Sequence, residues 1–426
     1  MEKIPAFLAE ARAQVDPARV PKIEAETLSR QNAGIMEIVD AALLPEVEAS
    51  GVPRNRFDAA VDALKTAVAE HQAWIDDVLV PNAAGEFRLG AERYDTKMKF
   101  ALMSDIARPE LKAKAEAAFA EARAEMEEIA RSFPDCASGT QQLVIECALA
   151  KTYADRPARD QVEAKARETL ATATAFTAEK GFVEMPRGPV QVITTPKFMQ
   201  GVAVAYDEAP GALEKQLPNF YMVSPIPEEW TDAQATSFLS EYNTYMLHEL
   251  SIHEGVPGHY LQLDHSNRHP SVLRAVLGSG PFVEGWAVYA ERLMAEHGYL
   301  GGRATVEGRL YELTMLKMRL RSIANTLLDI GIHTEGMTRE QAMELMTVGA
   351  FQQEREAAGK WTRAQLSSTQ LLSYFTGYEE HLALRREAER RRGADFDQRR
   401  YHDELLSHGS PPVKYARALL FGLPVE

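Results

Sequence analysis

His253 and His259 stand six residues apart in Ile252-His253-Glu254-Gly255-Val256-Pro257-Gly258-His259-Tyr260, with Glu254 directly after the first imidazole. Imidazoles joined by a carboxylate are the donors of a catalytic zinc that keeps one position open for water. In the ordinary zinc-peptidase helix the two histidines lie four residues apart on one face, and the glutamate between them turns toward the metal's water. A spacing of six instead sets the second imidazole about 120° around an ideal helix from the first. Pro257 removes a helical donor and clashes with the preceding turn, while Gly258 accepts backbone angles that other residues avoid. The sequence therefore predicts a distorted or widened turn that brings His253 and His259 onto one metal.

A third ligand is expected from a neighbouring helix. Phe282-Val283-Glu284-Gly285-Trp286-Ala287-Val288-Tyr289-Ala290-Glu291 offers Glu284, far enough past His259 for a loop and an antiparallel return. Gly285 lets such a helix approach closely. Glu291, two turns along the same face, either orients a ligand imidazole or is solvated. Glu254 is better suited as a base than as a ligand: it would take a proton from zinc-activated water and return it to a leaving amine. A competing register, His248-Glu249 with His253, has a spacing of five and no Pro or Gly to correct it. His265 and His269 are outside candidates for a ligand or a substrate contact.

The elements that must position these groups are mostly helices. Apolar residues recur at helical spacing through residues 1–80, in an Ala/Glu/Lys-rich stretch from Arg108 to Arg131, and from Asp160 to Thr177. Prolines between 181 and 227 interrupt short extended runs at Val190–Thr194, Val202–Tyr206 and Asn219–Val223, which predict a small sheet of two or three strands. Such a sheet either holds an extended peptide on its edge or simply covers the helices. Helical patterning resumes after Thr231-Asp232, with Thr338 and Gln341 placed to form a reciprocal cap. Three regions are expected: a helical scaffold over 1–180, a β-sheet subregion over 181–230, and a helical zinc-binding catalytic region over 231–426.

The chain has 426 residues, 45% hydrophobic and 26% charged, ordinary values for a globular protein. A formal charge of −15 argues against a nucleic-acid partner. The arginines at 385–386 and 390–392 interleave with acidic residues and suit a solvated helical face. Cys136 and Cys147 are too few for a disulfide framework and are expected as buried thiols. Charges interrupt the N-terminal MEKIPAFLAEARAQVD, and no run approaches about 18 apolar residues. A soluble, cytoplasmic chain with no membrane partner is expected. No serine elbow or phosphate-binding glycine loop competes, since the glycines at 298–302 lack a strand-turn-helix setting.

HEGVPGHYLQ followed by FVEGWAVYAE resembles the bacterial domain of unknown function 885 family, whose members are similar to helical zincin-like metallopeptidases. GEFRLGAERY, VITTPKFMQGVAVAY, LLDIGIHTEGM, LLSYFTGYEEHLALR and FDQRRYHDELLSHGSPPVKY agree in order, so the likeness spans nearly the whole chain. It implies an elongated, mostly helical body with an active-site cleft, a small sheet near the metal, and hydrolysis of peptide-like amides. It also implies His253, His259 and Glu284 as Zn2+ ligands, with Glu254 as base. Members usually carry a longer N-terminal part, so one cleft wall would be absent, replaced or supplied by a second copy in a homodimer.

An oxyanion donor is sought among Tyr, His and Arg. Tyr378 is the first choice and His402, ahead of Asp403, the second. Tyr374 shares a face with Tyr378, and Arg385 either pairs with a substrate carboxylate or forms an internal salt bridge. The expected activity is hydrolysis of short peptides. The alternatives are a metallohydrolase of non-peptide amides or esters and a catalytically silent helical binding protein with a structural metal.

Overall fold

The computed structural model describes residues 1–39, 43–196, 205–211, 213–214, 217–228 and 230–424. Within it, Met1–Leu89 gather into one compact unit, and Gly90–Thr195 with the described residues after 204 into another. The first unit is helical throughout. Its Ile4–Gln14 and Arg54–Trp74 helices close around Leu8, Phe57, Val61, Leu64 and Val68.

The second unit is built around Val306–Thr334, a helix buried along most of its length. Thr305 caps it by accepting from the Gly308 N–H at 2.9 Å, which satisfies a donor the first turn leaves unpaired. Arg108–Arg131, the helix marked by its Ala/Glu/Lys pattern, packs against it. Thr338 and Gln341 form the expected reciprocal cap, and Thr231 forms a second one with Gln234.

Three strands make the sheet: β1 (Val190–Thr194), β2 (Ala205–Glu208) and β3 (Asn219–Val223), in the order β1-β3-β2. β1 runs parallel to β3, with Val190 opposite Asn219; β2 runs antiparallel, with Asp207 opposite Tyr221. Of the expected run Val202–Tyr206, residues 202–204 lie outside the described residues, and Ala205 and Tyr206 open β2. Val192, Tyr221 and Val223 bury one face against Leu170, Leu239 and Leu247. The sheet is thereby fixed to the helices that lead into the histidine motif.

Cys136 and Cys147 are not free thiols. They form a disulfide across a Cα separation of 5.6 Å. The short Pro134–Cys136 turn folds back onto the Gln141–Ala154 helix, a return the spacing alone does not reveal. Among the described residues no helix is long and apolar enough to cross a membrane.

The tightest helix contact joins Gly280–Glu296 to Ser373–Arg392. A Cβ at Gly285 would fall onto the Gly377 backbone, and one at Gly377 onto the Pro281 carbonyl. Neither helix can yield without displacing the buried side chains on both. Gly285→Ala is expected to cost about 1–3 kcal/mol as an overpacked contact, measured as a lower urea midpoint with an unchanged slope.

Candidate metal centre

The histidine motif is not one helix. Thr244–Leu250 runs into a π-helical turn over Ser251–Gly255, the chain breaks through Val256-Pro257-Gly258 with a cis Val256–Pro257 bond, and a new helix begins at His259. Pro257 lies in the break, as its missing donor and fixed φ allow. Gly258 closes it: its N–H donates to the Ile252 carbonyl at 2.9 Å, and a Cβ there would collide with the carbonyls of Ile252 and His253. Trp286 holds the break from outside, its indole N–H donating to the Pro257 carbonyl at 2.9 Å.

These departures bring three side chains together. The ligand atoms of His253, His259 and Glu284 all lie within 4.8 Å of one another. Glu284 Oε2 is 3.7 Å from His253 Nε2 and 3.4 Å from His259 Nε2. Zinc bound tetrahedrally by nitrogen and oxygen separates its ligands by roughly 3.3–3.6 Å. The two edges through Glu284 match that size, and the two rings stand nearly perpendicular at 83°.

On the far side of His253, Nδ1 meets Glu291 Oε1 at 2.6 Å, and the Glu291 side chain is 2% exposed. A carboxylate there fixes the Nδ1–H tautomer and turns Nε2 toward Glu284. Burial alone would lower the pKa of His253, but the facing Glu284 and Glu291 carboxylates raise it well above the ordinary value. Burial would raise that of Glu284, yet the two histidines hold it well below the carboxylate range. The cluster thus sets two imidazoles against two carboxylates in a partly buried place.

Glu254, next in the π turn, is tied to the sheet. Its Oε2 accepts the Asp207 backbone N–H of β2 at 3.0 Å, so the strand and the glutamate beside His253 are joined directly. Asp207 itself is pushed up to about 7, chiefly by burial. Asp207 Oδ2 and His259 Nδ1 are both buried without a hydrogen-bond partner. Sequence reasoning missed Asp207, whose contact is made through its backbone and leaves no mark on residue type.

A family described as "Bacterial protein of unknown function (DUF885)" matches residues 1–420. This chain belongs to the DUF885 family. A solved structure titled "The structure of a putative lipoprotein of unknown function from Shewanella oneidensis" is 35% identical, with a TM-score of 0.82 over 99% of this chain and 76% of that one. A second, titled "The crystal structure of the putative lipoprotein from Colwellia psychrerythraea", has a TM-score of 0.73 at 19% identity. It covers 87% of this chain and 63% of its own, and shows the fold alone. No curated protein matches.

The remaining candidates in this DUF885 chain have other duties. His248 Nδ1 meets the Tyr299 hydroxyl at 2.7 Å, and burial lowers its pKa to about 4. Glu249 is fully buried, and burial together with Glu291 pushes its pKa well up, so it stays protonated. The competing register is therefore packing. His265 Nε2 donates to the Glu184 carbonyl, and His269 Nδ1 accepts the Ser271 N–H.

Tyr378 is 2% exposed beneath the Arg319 guanidinium. Arg385, one of whose expected roles was to meet a substrate carboxylate, takes the other: it pairs with Glu296 at 2.7 Å and Glu389 at 2.9 Å. His402 corrects the expectation of an oxyanion donor. It is fully buried, Nδ1 donates to the Phe182 carbonyl at 2.7 Å, and Nε2 therefore accepts from the Tyr289 hydroxyl at 2.8 Å. Tyr374 differs from these. It is half-buried, burial and then the Glu284 charge raise its pKa, and Arg363 Nη2 lies 3.5 Å from its hydroxyl.

Burial lowers the pKa of His402 to about 3. The unfolded chain binds a proton there below about 6.5, whereas the folded chain does not. The stability it contributes is complete above that pH and is lost as pH falls toward 3. His402→Asn, which keeps a donor near the Phe182 carbonyl, should show a smaller drop in Tm between pH 7 and pH 5 than the unmodified protein.

Proposed function

We propose that this chain is a zinc-dependent hydrolase of peptide bonds in short peptides, with His253, His259 and Glu284 as the metal ligands. One observation carries the reading: three donor atoms lie within 4.8 Å of one another, two of their separations near zinc size, with one imidazole already oriented by the buried Glu291 carboxylate. Among the described residues this group has three members and not four. Three protein ligands with a position left over are typical of catalytic zinc, whereas structural zinc closes its sphere. This favours hydrolysis over a silent binding module.

When bound, zinc would supply a Lewis acid that lowers the pKa of a water toward neutrality and polarises the scissile carbonyl. Glu254 is the base. With Oε2 held by the Asp207 N–H, Oε1 takes the proton of the attacking water and returns it to the leaving amine. Tyr374 replaces Tyr378 and His402 as the oxyanion donor: the Glu284 charge acts on it, whereas both His402 nitrogens are engaged and Tyr378 is buried beneath Arg319. Among the described residues β2 is an edge strand, tied to Glu254 through Asp207. An extended peptide laid along that edge would bring its carbonyl past the base. A zincin-like cleft is part of the same reading.

The disulfide and the lipoprotein title of the 35% identical structure support an oxidising compartment outside the cytoplasm, in place of the cytoplasmic expectation.

Metal content measured alongside hydrolysis of short peptides tests the reading. Glu254→Gln should keep one zinc per chain while kcat falls by about 10²–10⁴. Glu284→Gln should lose zinc, and Glu291→Gln should weaken its retention about 10- to 100-fold. A chain that binds no zinc at neutral pH, or a Glu254→Gln variant with unchanged turnover, would sink the assignment. Tyr374→Phe should lower kcat with little change in KM, since an oxyanion donor acts in the transition state.

A further inference from the structure

A short loop joins the π turn Leu345–Gly349 to the helix Glu354–Leu366. Within it Phe351 has a φ of 57°, in a region that residues with a Cβ rarely adopt. Its surroundings hold it there: the Arg123 guanidinium lies 4.8 Å from the centre of its ring and donates to the Gly349 carbonyl at 2.5 Å. The next residue, Gln352, donates its backbone N–H to the Met346 carbonyl at 3.0 Å and is only 4% exposed. Among the described residues neither Oε1 nor Nε2 of its carboxamide has a hydrogen-bond partner. A carboxamide buried without partners destabilises the fold, and the strained residue before it adds to that cost.

Gln352 lines a cavity of about 390 Å³, within the roughly 300–1,000 Å³ of small-molecule sites. The other walls carry charge of both signs. Arg339 and Glu340 come from the first turn of the Arg339–Glu344 helix, and Glu354 from the first turn of the helix after the loop. Met343 adds an apolar side chain. Gln353, also on the wall, is the N-cap of the Glu354–Leu366 helix and gives it no side-chain hydrogen bond. First-turn N–H groups have no intrahelical partner, so this end of the helix favours an anion. Of its two acidic residues Glu356 is already paired with Arg321, and Glu354 is exposed.

We propose that this cavity is a binding site for a free dipeptide, sharing no residue with the histidine and glutamate cluster. Such a molecule carries one peptide group, one carboxylate and one ammonium. The peptide group gives Gln352 both missing partners, its carbonyl accepting from Nε2 and its N–H donating to Oε1. The carboxylate is taken by the helix N-terminus and Arg339. The ammonium is taken by the Glu340 and Glu354 carboxylates. A water would satisfy the carboxamide but would use neither charged wall. The site stands whether or not the chain is a hydrolase.

The test titrates alanylalanine into the full chain, freed of metal with a chelator so that nothing is hydrolysed. Propionylalanine has hydrogen in place of the ammonium, and alanylalanine amide lacks the carboxylate charge. Each is expected to bind about 10-fold more weakly than alanylalanine. Gln352→Leu should weaken alanylalanine binding about 5- to 50-fold. The same variant without ligand should melt no lower than the unmodified chain, since leucine leaves no polar group unpaired. Arg339→Met, at an exposed position, should narrow the gap between alanylalanine and its amide.

No measurable binding, or equal affinity for alanylalanine and both analogues, overturns the proposal whether or not any variant folds. The cavity then holds water only. Undiminished binding to a folded Gln352→Leu chain overturns it as well, because the dipeptide then sits elsewhere. Glu284→Gln, which removes a donor from the candidate metal site, should leave the affinity unchanged. Loss of binding in that variant would assign the dipeptide to the metal site and sink the proposal.

Discussion

The indole N–H of Trp286 and the carbonyl of Pro257 meet inside the core, and the arrangement of the candidate metal site follows from that bond. A helix that breaks in a buried place leaves backbone groups that must find partners. Gly258 supplies one by donating to Ile252, and Trp286 supplies another from a different helix. The segment that repairs the break also carries Glu284 two residues before the tryptophan and Glu291 five after it. Their spacing of two turns keeps both carboxylates on one face, so His253 is held between them from Nε2 and Nδ1. Satisfying the backbone and assembling the donor set are one structural event.

Charge explains why such an assembly suits a cation. Glu284, Glu291 and Glu254 surround His253, with His259 adding a second imidazole. Protons on the histidines can balance some of this charge, but each occupies a nitrogen that a metal would use. A divalent ion replaces those protons with a single centre and lets every donor keep its orientation. Behind them Glu249 remains protonated beside Glu291, which spares the core a further negative charge.

Much of the fold was legible because its signals are local. Strands β1 and β3 begin and end where the proline-bounded runs do, and the Arg108–Arg131 helix coincides with its amphipathic stretch. The misfit spacing of the histidines announced an irregular turn, although its form is a π turn followed by a break and not one widened helix. Other features were illegible for identifiable reasons. His402 looks like a donor next to an aspartate, and only the packing of Phe182 and Tyr289 around it shows both nitrogens engaged. The cysteine pairing depends on a turn folding back, a property that belongs to no residue type or spacing.

The π turn at Ser251–Gly255 has a consequence for changes in chain length. A π turn accommodates one more residue than the α-helical turn it replaces. Losing one residue between Leu250 and His253 would let the turn relax into a regular helix and carry His253 about 100° around the axis. The helix before it and the helix from His259 onward would keep their own packing. Length in this short stretch therefore sets which way the first imidazole faces, more stringently than the identity of any side chain within it.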